Sequence, residues 1–204
     1  KHKAAVKLHT MLDVKTNIPT FIFVTSGAVH ELSLLDEFPI EEGSYYLLDK
    51  GYIDFEKLHR IHKAPAYFVV RAKENFAFVR LHSRPVDKKS GVKCDQTVRL
   101  KNKVVSLKYP NELRRVKYYD RDKNVELVFV TNNFEISPIE IAGLYKYRWK
   151  IELFFKWIKQ HLKVKSFWGY SLNAVKTQIY IAMITYLMVA IVKHELKLKQ
   201  TQYE

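Results

Sequence analysis

Apolar and polar positions along the first seventy residues switch between a two-residue and a helical period. Val6–Leu12 alternates in part, and Pro19–Thr25 is a β-branched and aromatic run. Asn17-Ile18-Pro19 lies between them with turn composition, so a hairpin is predicted. Glu31–Phe38 predicts a short helix. Tyr45–Leu48 predicts a strand that ends at Asp49, followed by Lys50-Gly51-Tyr52. Phe55–His62 has a helical pattern, and Ala66–Val70 reads as a strand leading to Arg71.

From about Phe76 to Asn133 the pattern becomes strand-like throughout. Phe76–Leu81, Thr97–Leu100, Val116–Tyr119 and Leu127–Val130 are separated by turn clusters at Ser83–Gly91, Tyr109–Asn111 and Asp120–Asn124. That spacing predicts a small antiparallel β insert. Ser137-Pro138 followed by Glu140 predicts a helix N-cap and first turn. Helix is then expected to near the end of the chain, with a break about Phe167–Ser171.

Within that helical part, Tyr145, Arg148, Glu152 and Lys159 stand at offsets of zero, three, seven and fourteen. On one continuous helix they would fall within an arc of roughly 60°. Leu144, Ile151, Phe154, Phe155, Ile158 and Leu162 would form the adjoining apolar stripe, leaving the polar row outward. Arg148 with Glu152, and Glu152 with Lys156, are also i,i+4 pairs, which stabilise an exposed helix by a few tenths of a kcal/mol with no function at all. A carboxylate between bases is equally what a site needs to hold a divalent cation and grip phosphates.

Composition narrows the partner. The 204 residues carry 35 Lys and Arg against 21 Asp and Glu, a net charge of +14, which implies a polyanion, nucleic acid before acidic membrane. Residues 84–124 hold thirteen Lys or Arg and five Asp or Glu, so this segment alone contributes about +8, either as a solvated surface or as a platform for a DNA backbone. Cys94 is the one cysteine, so no internal disulfide or cysteine zinc site can form, and a reducing cytoplasm is expected. The chain opens KHKAAVKLH, without an initiator Met or a leader pattern, as expected of a fragment whose N-terminal part is missing. Ile179–Val192 is the most apolar stretch; at fourteen residues it predicts a buried core helix rather than a membrane span.

The pattern Y-x2-R-x3-E-x6-K over 145–159, with RWKIE and FFKWIK inside it, resembles the YREK signature of bacterial insertion-sequence transposases of the IS-four type, in the DDE superfamily. YYLLDKGYIDF resembles the D-[RK]-G-[YF] block of the same transposases, and Arg71 in YFVVRAK is similar to a block whose arginine contacts DNA. The resemblance implies an α/β fold: an RNase H-like catalytic core, a mixed sheet flanked by helices, with an inserted antiparallel β subdomain. Residues 1–75 would be the first part of the core without its first strand, 76–133 the basic insertion, and 134–204 the helical C-terminal part.

The roles implied are Asp49 and Glu152 as catalytic metal ligands for Mg²⁺ or Mn²⁺, two ions in the intact protein. Tyr145, Arg148 and Lys159 would grip DNA, with Arg71, Lys156 and Lys163 as further contacts. The partners implied are double-stranded DNA, as transposon ends and target, and a second copy of the chain on DNA, with no membrane. The first aspartate of the triad would lie upstream of Lys1, so an inactive catalytic fragment is expected. Asp13 and Asp36 fit no part of the motif and read as structural, as do Trp149 and Trp157 as packing residues. His59 and His62 have metal-compatible i,i+3 spacing but no third ligand. An RNase H-like nuclease, or a DNA-binding remnant without catalysis, are the alternatives.

Overall fold

The computed structural model describes residues 6–29, 31–161, 167–169 and 171–197. They divide into two units, Lys1–Val29 with Trp149–Glu204, and His30–Arg148.

The larger unit is built on a six-stranded mixed sheet. Its strands are β3 (Tyr45–Leu48), β4 (Tyr67–Arg71), β5 (Phe78–Arg84), β6 (Val92–Leu100), β7 (Leu113–Asp120) and β8 (Val125–Thr131), in the order β3-β4-β8-β7-β6-β5. β3 and β4 run parallel through α1 (Phe55–Lys63), as a crossover connection requires, and every other neighbouring pair is antiparallel. The four strands of 78–131 therefore continue the same sheet as β3 and β4 through the β4–β8 pairing. Each is longer than its apolar stretch in the sequence, because ladder hydrogen bonds extend into the flanking polar residues.

Side-chain alternation gives this sheet two separate cores. On one face Phe68, Val70, Val98, Leu113 and Val130 pack with Leu58 and Ile61 of α1 and with Tyr109. On the other, Val69, Val116 and Phe129 pack with Ile141, Ala142 and Tyr145 of α3 (Pro138–Lys146). The short α2 (Lys103–Lys108) has no counterpart in the sequence reading. Asn102 starts it by accepting from the Val104 and Val105 amides, although Val104-Val105 alone suggests a strand. Glu31–Asp36 forms a 3₁₀ turn instead of an α-helix.

A buried ion pair ties the sheet to α3. Arg114 Nε and Nη2 each donate to Asp95 at 2.8 Å, and both residues are under 5% exposed. Arg114 Nη1 donates to the Ile136 carbonyl at 2.6 Å, just before the Ser137–Glu140 capping box that opens α3. Asn133, buried beside it, accepts from the Glu135 and Ile136 amides and donates to the Tyr45 hydroxyl. The entry to α3 is thus held by side chains from β3, β6 and β7.

The smaller unit pairs β1 (Val6–Leu12) and β2 (Pro19–Ser26) as the predicted hairpin. Asp13 accepts from Lys15 N and from the Thr16 hydroxyl within its turn, and Asn17 takes a left-handed φ of 59°. α4 (Trp149–His161) and α5 (Leu172–Glu195) pack Phe154, Ile158, Ala182, Met183 and Tyr186 together, with Leu8, Leu12 and Ile22 of the hairpin against them. α5 begins directly after the break expected at Phe167–Ser171. Its segment Leu172–Lys193 is long and apolar enough to cross a membrane by length and composition. Only one face of it is buried, by Val175, Ile179, Ala182, Met183 and Tyr186, while Ile181, Ile184, Met188 and Ile191 are exposed, so the expected buried core helix is half a surface helix.

Tyr145 and Lys159 do not share the one continuous helix on which their spacing was read. α3 ends at Lys146 and α4 begins at Trp149. Tyr147 N bonds to Leu144 O, and Arg148 N to Tyr145 O, the tightened i,i+3 bonds of a helix end. No Pro or Gly marks the place. The cause is packing: Ile141, Ala142 and Tyr145 serve the core of one unit and Phe154 and Ile158 the core of the other. Tyr145 and Arg148 therefore belong to one unit, and Glu152 and Lys159 to a different helix in the other.

Asp95→Ala should lose about 3–5 kcal/mol of unfolding free energy by leaving Arg114 buried without its counter-charge. Chemical denaturation should show most of that loss recovered in the Asp95→Ala, Arg114→Met double variant. A second expectation concerns pH. Burial, and less so the neighbouring His59, holds the His62 pKa below its ordinary 6.5, so the folded chain favours neutral His62. Stability from this source is present above the unfolded pKa and is lost as pH falls through the folded value. The urea midpoint should drop on acidification below about pH 6.5, and drop less in His62→Gln.

Candidate active site

Asp49 follows β3 directly, where the sequence puts it. Its carboxylate accepts from Lys50 N at 2.7 Å and caps the 3₁₀ turn Lys50–Tyr52. Leu47 of β3 pairs with Val69 of β4, so two residues further on Asp49 and Arg71 leave the C-terminal ends of parallel neighbours on the same face. That face is the one covered by α3. Arg71 pairs across the sheet with Phe129, and the Tyr145 ring lies on Phe129 at 4.8 Å.

Tyr145 gathers the site. It is 8% exposed, and its hydroxyl is hydrogen-bonded to the Asp49 carboxylate. Burial first, and then the charge of Asp49, push the phenol pKa up to about 12, while Arg148 and Arg71 pull it down. The Arg148 guanidinium stands over the Tyr145 ring at 5.7 Å. One acid, one phenol and two guanidinium groups thus meet at one end of the sheet. Tyr145 was expected to face outward; it is instead a buried donor to Asp49, because the helix break turns it into the sheet core.

The remaining sequence-derived residues lie in the other unit. Glu152, Lys156 and Lys159 share a face of α4 by their i, i+4, i+7 spacing. With Phe155 and Gln160 they line an open groove of about 460 Å³. Lys163 and Leu162 fall outside the described residues. Among the described residues no cluster of three or more His, Cys, Asp or Glu side chains forms a metal-binding group.

The other candidates have structural occupations. Asp36 accepts from Lys57 and Arg60. His59 Nε2 meets Asn111 Oδ1 at 3.1 Å and His62 Nδ1 meets the Tyr109 hydroxyl at 2.8 Å, so each imidazole has a protein partner. Trp157 packs edge-on to Tyr186 at 5.1 Å, as expected. Trp149, the first residue of α4, is 51% exposed and so only about half covered. Sequence reasoning also missed the Asp95–Arg114 pair, since nothing in VKCDQTVRL or LRRVKYYD distinguishes a buried charge from an exposed one.

Two parallel strands of a mixed α/β sheet thus end in an acid and a guanidinium group on one face, with Arg148 beside them. The chain belongs to the transposase DDE domain family, whose model matches residues 1–188, and the fold is accordingly RNase H-like. It is 37% identical over 190 residues to y4zB of Sinorhizobium fredii, designated a transposase, an alignment covering 91% of this chain and 53% of that protein. It is 31% identical over 195 residues to the protein designated a transposase for insertion sequence element IS4SA of Synechocystis, covering 90% and 52%. It is 29% identical over 191 residues to the protein designated a transposase for IS5377 of Geobacillus stearothermophilus, covering 91% and 49%. The chain spans about half the length of the curated relatives it matches.

Since Asp49 raises the Tyr145 pKa and the two arginines lower it, Asp49→Asn should bring the Tyr145 titration down and Arg148→Ala should move it up. Ring ¹³C NMR of Tyr145 across alkaline pH measures both, and opposite signs are required.

Proposed function

We propose that this chain is part of the catalytic domain of an insertion-sequence DNA transposase, in which Asp49 and Glu152 are two of the metal-holding carboxylates. The observation that supports this most directly is the meeting of Asp49, Arg71, Tyr145 and Arg148 at one sheet end, within a chain of the DDE family. Carboxylate oxygens suit Mg²⁺ or Mn²⁺, and Asp49 is held with its oxygens oriented by Lys50 N and Tyr145. Two such ions, when bound in the whole protein, would activate water or a 3′ hydroxyl and stabilise the leaving oxygen in strand cleavage and joining.

The residues of this chain divide the remaining work. Tyr145 keeps the Asp49 carboxylate in one orientation as a positioning residue. Arg148 and Arg71 offer planar forks to phosphate oxygens beside it. Lys159 and Lys156, with Lys163 further along, act as point charges on the transposon-end backbone. We read 76–133 as the basic insertion of the core, continuing its sheet. Two copies would pair two DNA ends, in the cytoplasm of a bacterium.

Glu152→Gln in the whole protein should abolish Mg²⁺-dependent cutting of terminal-repeat DNA while leaving gel-shift affinity for those ends within about twofold. Arg148→Ala should instead reduce the log–log salt slope of end binding by about 0.9. Cutting that survives Glu152→Gln removes that residue from the chemistry. Cutting without preference for the ends favours a general nuclease.

A further inference from the structure

The sheet face opposite Asp49 carries a second group of cations. Alternation along β7 turns Val116 towards α3 and Arg115 and Lys117 away from it, onto the face that α1 and α2 cover only in part. Gln96 and Cys94 of β6 are their cross-strand partners, and Arg80 of the edge strand β5 stands opposite Val98. Exposed lysines on a strand are commonly no more than a solvated surface.

Arg115 is different. Its guanidinium lies over the Phe78 ring at 4.8 Å, and Nη1 donates to Gln96 Oε1 at 2.9 Å and to Cys94 Sγ at 3.1 Å. The side chain is half-buried and held through one nitrogen, leaving the rest of its fork unused. Lys93, which is exposed, lies over the Tyr119 ring at 5.3 Å. Among the described residues neither has a carboxylate partner, whereas Arg84, Arg99 and Arg114 each have one. A half-buried, pre-positioned guanidinium such as that of Arg115, with no internal counter-charge, is incomplete until an external anion reaches it, and Lys93 adds an exposed charge to it. Lys117, bridged to Glu126 at 2.7 Å, and exposed Arg80 extend the positive surface across three strands, too broad for one small anion and suited to a run of backbone phosphates.

We infer that this face, centred on Arg115 and Lys93, is a second phosphate-backbone surface that takes a DNA duplex segment other than the one at Asp49. The inference rests on the transposase reading for its choice of polyanion. Because the two surfaces are on opposite faces of one sheet, one straight duplex cannot occupy both.

The test is fluorescence anisotropy of a labelled short duplex with this chain, from about 50 to about 200 mM salt. Arg115→Gln with Lys93→Gln should reduce the log–log slope by about 1.8, that is about 0.9 for each lost contact. Stoichiometric titration should give two duplexes per wild-type chain and one per double variant. Arg115→Lys, which keeps the charge, should retain most of the slope. If Arg115→Gln does not fold, Lys93→Gln with Arg80→Gln tests the same face. An unchanged slope, or one duplex per wild-type chain, overturns the inference and leaves the transposase reading standing. A wild-type chain that binds no DNA overturns both.

Discussion

The packing of the Tyr145 ring on Phe129 is the constraint from which the candidate site follows. Phe129 sits in β8 beside Arg71, so a ring laid on it brings a phenol next to the last residue of β4. Parallel pairing of β3 with β4 then puts Asp49 within reach of that phenol. α3 can deliver the ring only because its first turn is pinned, and the pinning comes from Arg114, reaching out of β7 to the Ile136 carbonyl with its charge balanced by Asp95. A residue pair in the basic strands and a residue pair at the other end of α3 are in this sense one device.

The break at Tyr147-Arg148 expresses a competition between cores. A thirteen-residue α4 and a nine-residue α3 could have been one rod, and their backbone preferences do not forbid it. Burial of apolar side chains is worth about 1.5–3 kcal/mol each, more than the roughly 0.5–1.5 kcal/mol net of a backbone hydrogen bond given up where a helix ends. With Ile141 and Phe154 both fully buried in different clusters, packing decides.

Much of the architecture was legible before any coordinates, and the reasons differ by element. The hairpin, the strand before Asp49, α1 and the Ser137 cap have local signals, a turn, a period or a capping box, and each formed where its signal lay. α2 was invisible because Asn102 is a cap only once the chain has turned away from β6. The inward turn of Tyr145 was invisible for a related reason: a helical period describes one axis and is silent about where that axis stops. The acid of the site was readable from the end of an apolar strand. Its phenol partner and the two guanidinium groups around it were readable as residues but not as neighbours, since their meeting depends on register and on the β8–α3 connection.

The elevated phenol of Tyr145 sets how the site responds to alkali. With its pKa pushed up to about 12 by burial and by the charge of Asp49, the hydroxyl keeps its proton through neutral and moderately alkaline solution and stays a donor there. Loss of that hydrogen bond at a lower pH would have to come from movement of α3 or β3 and not from ionisation of this side chain.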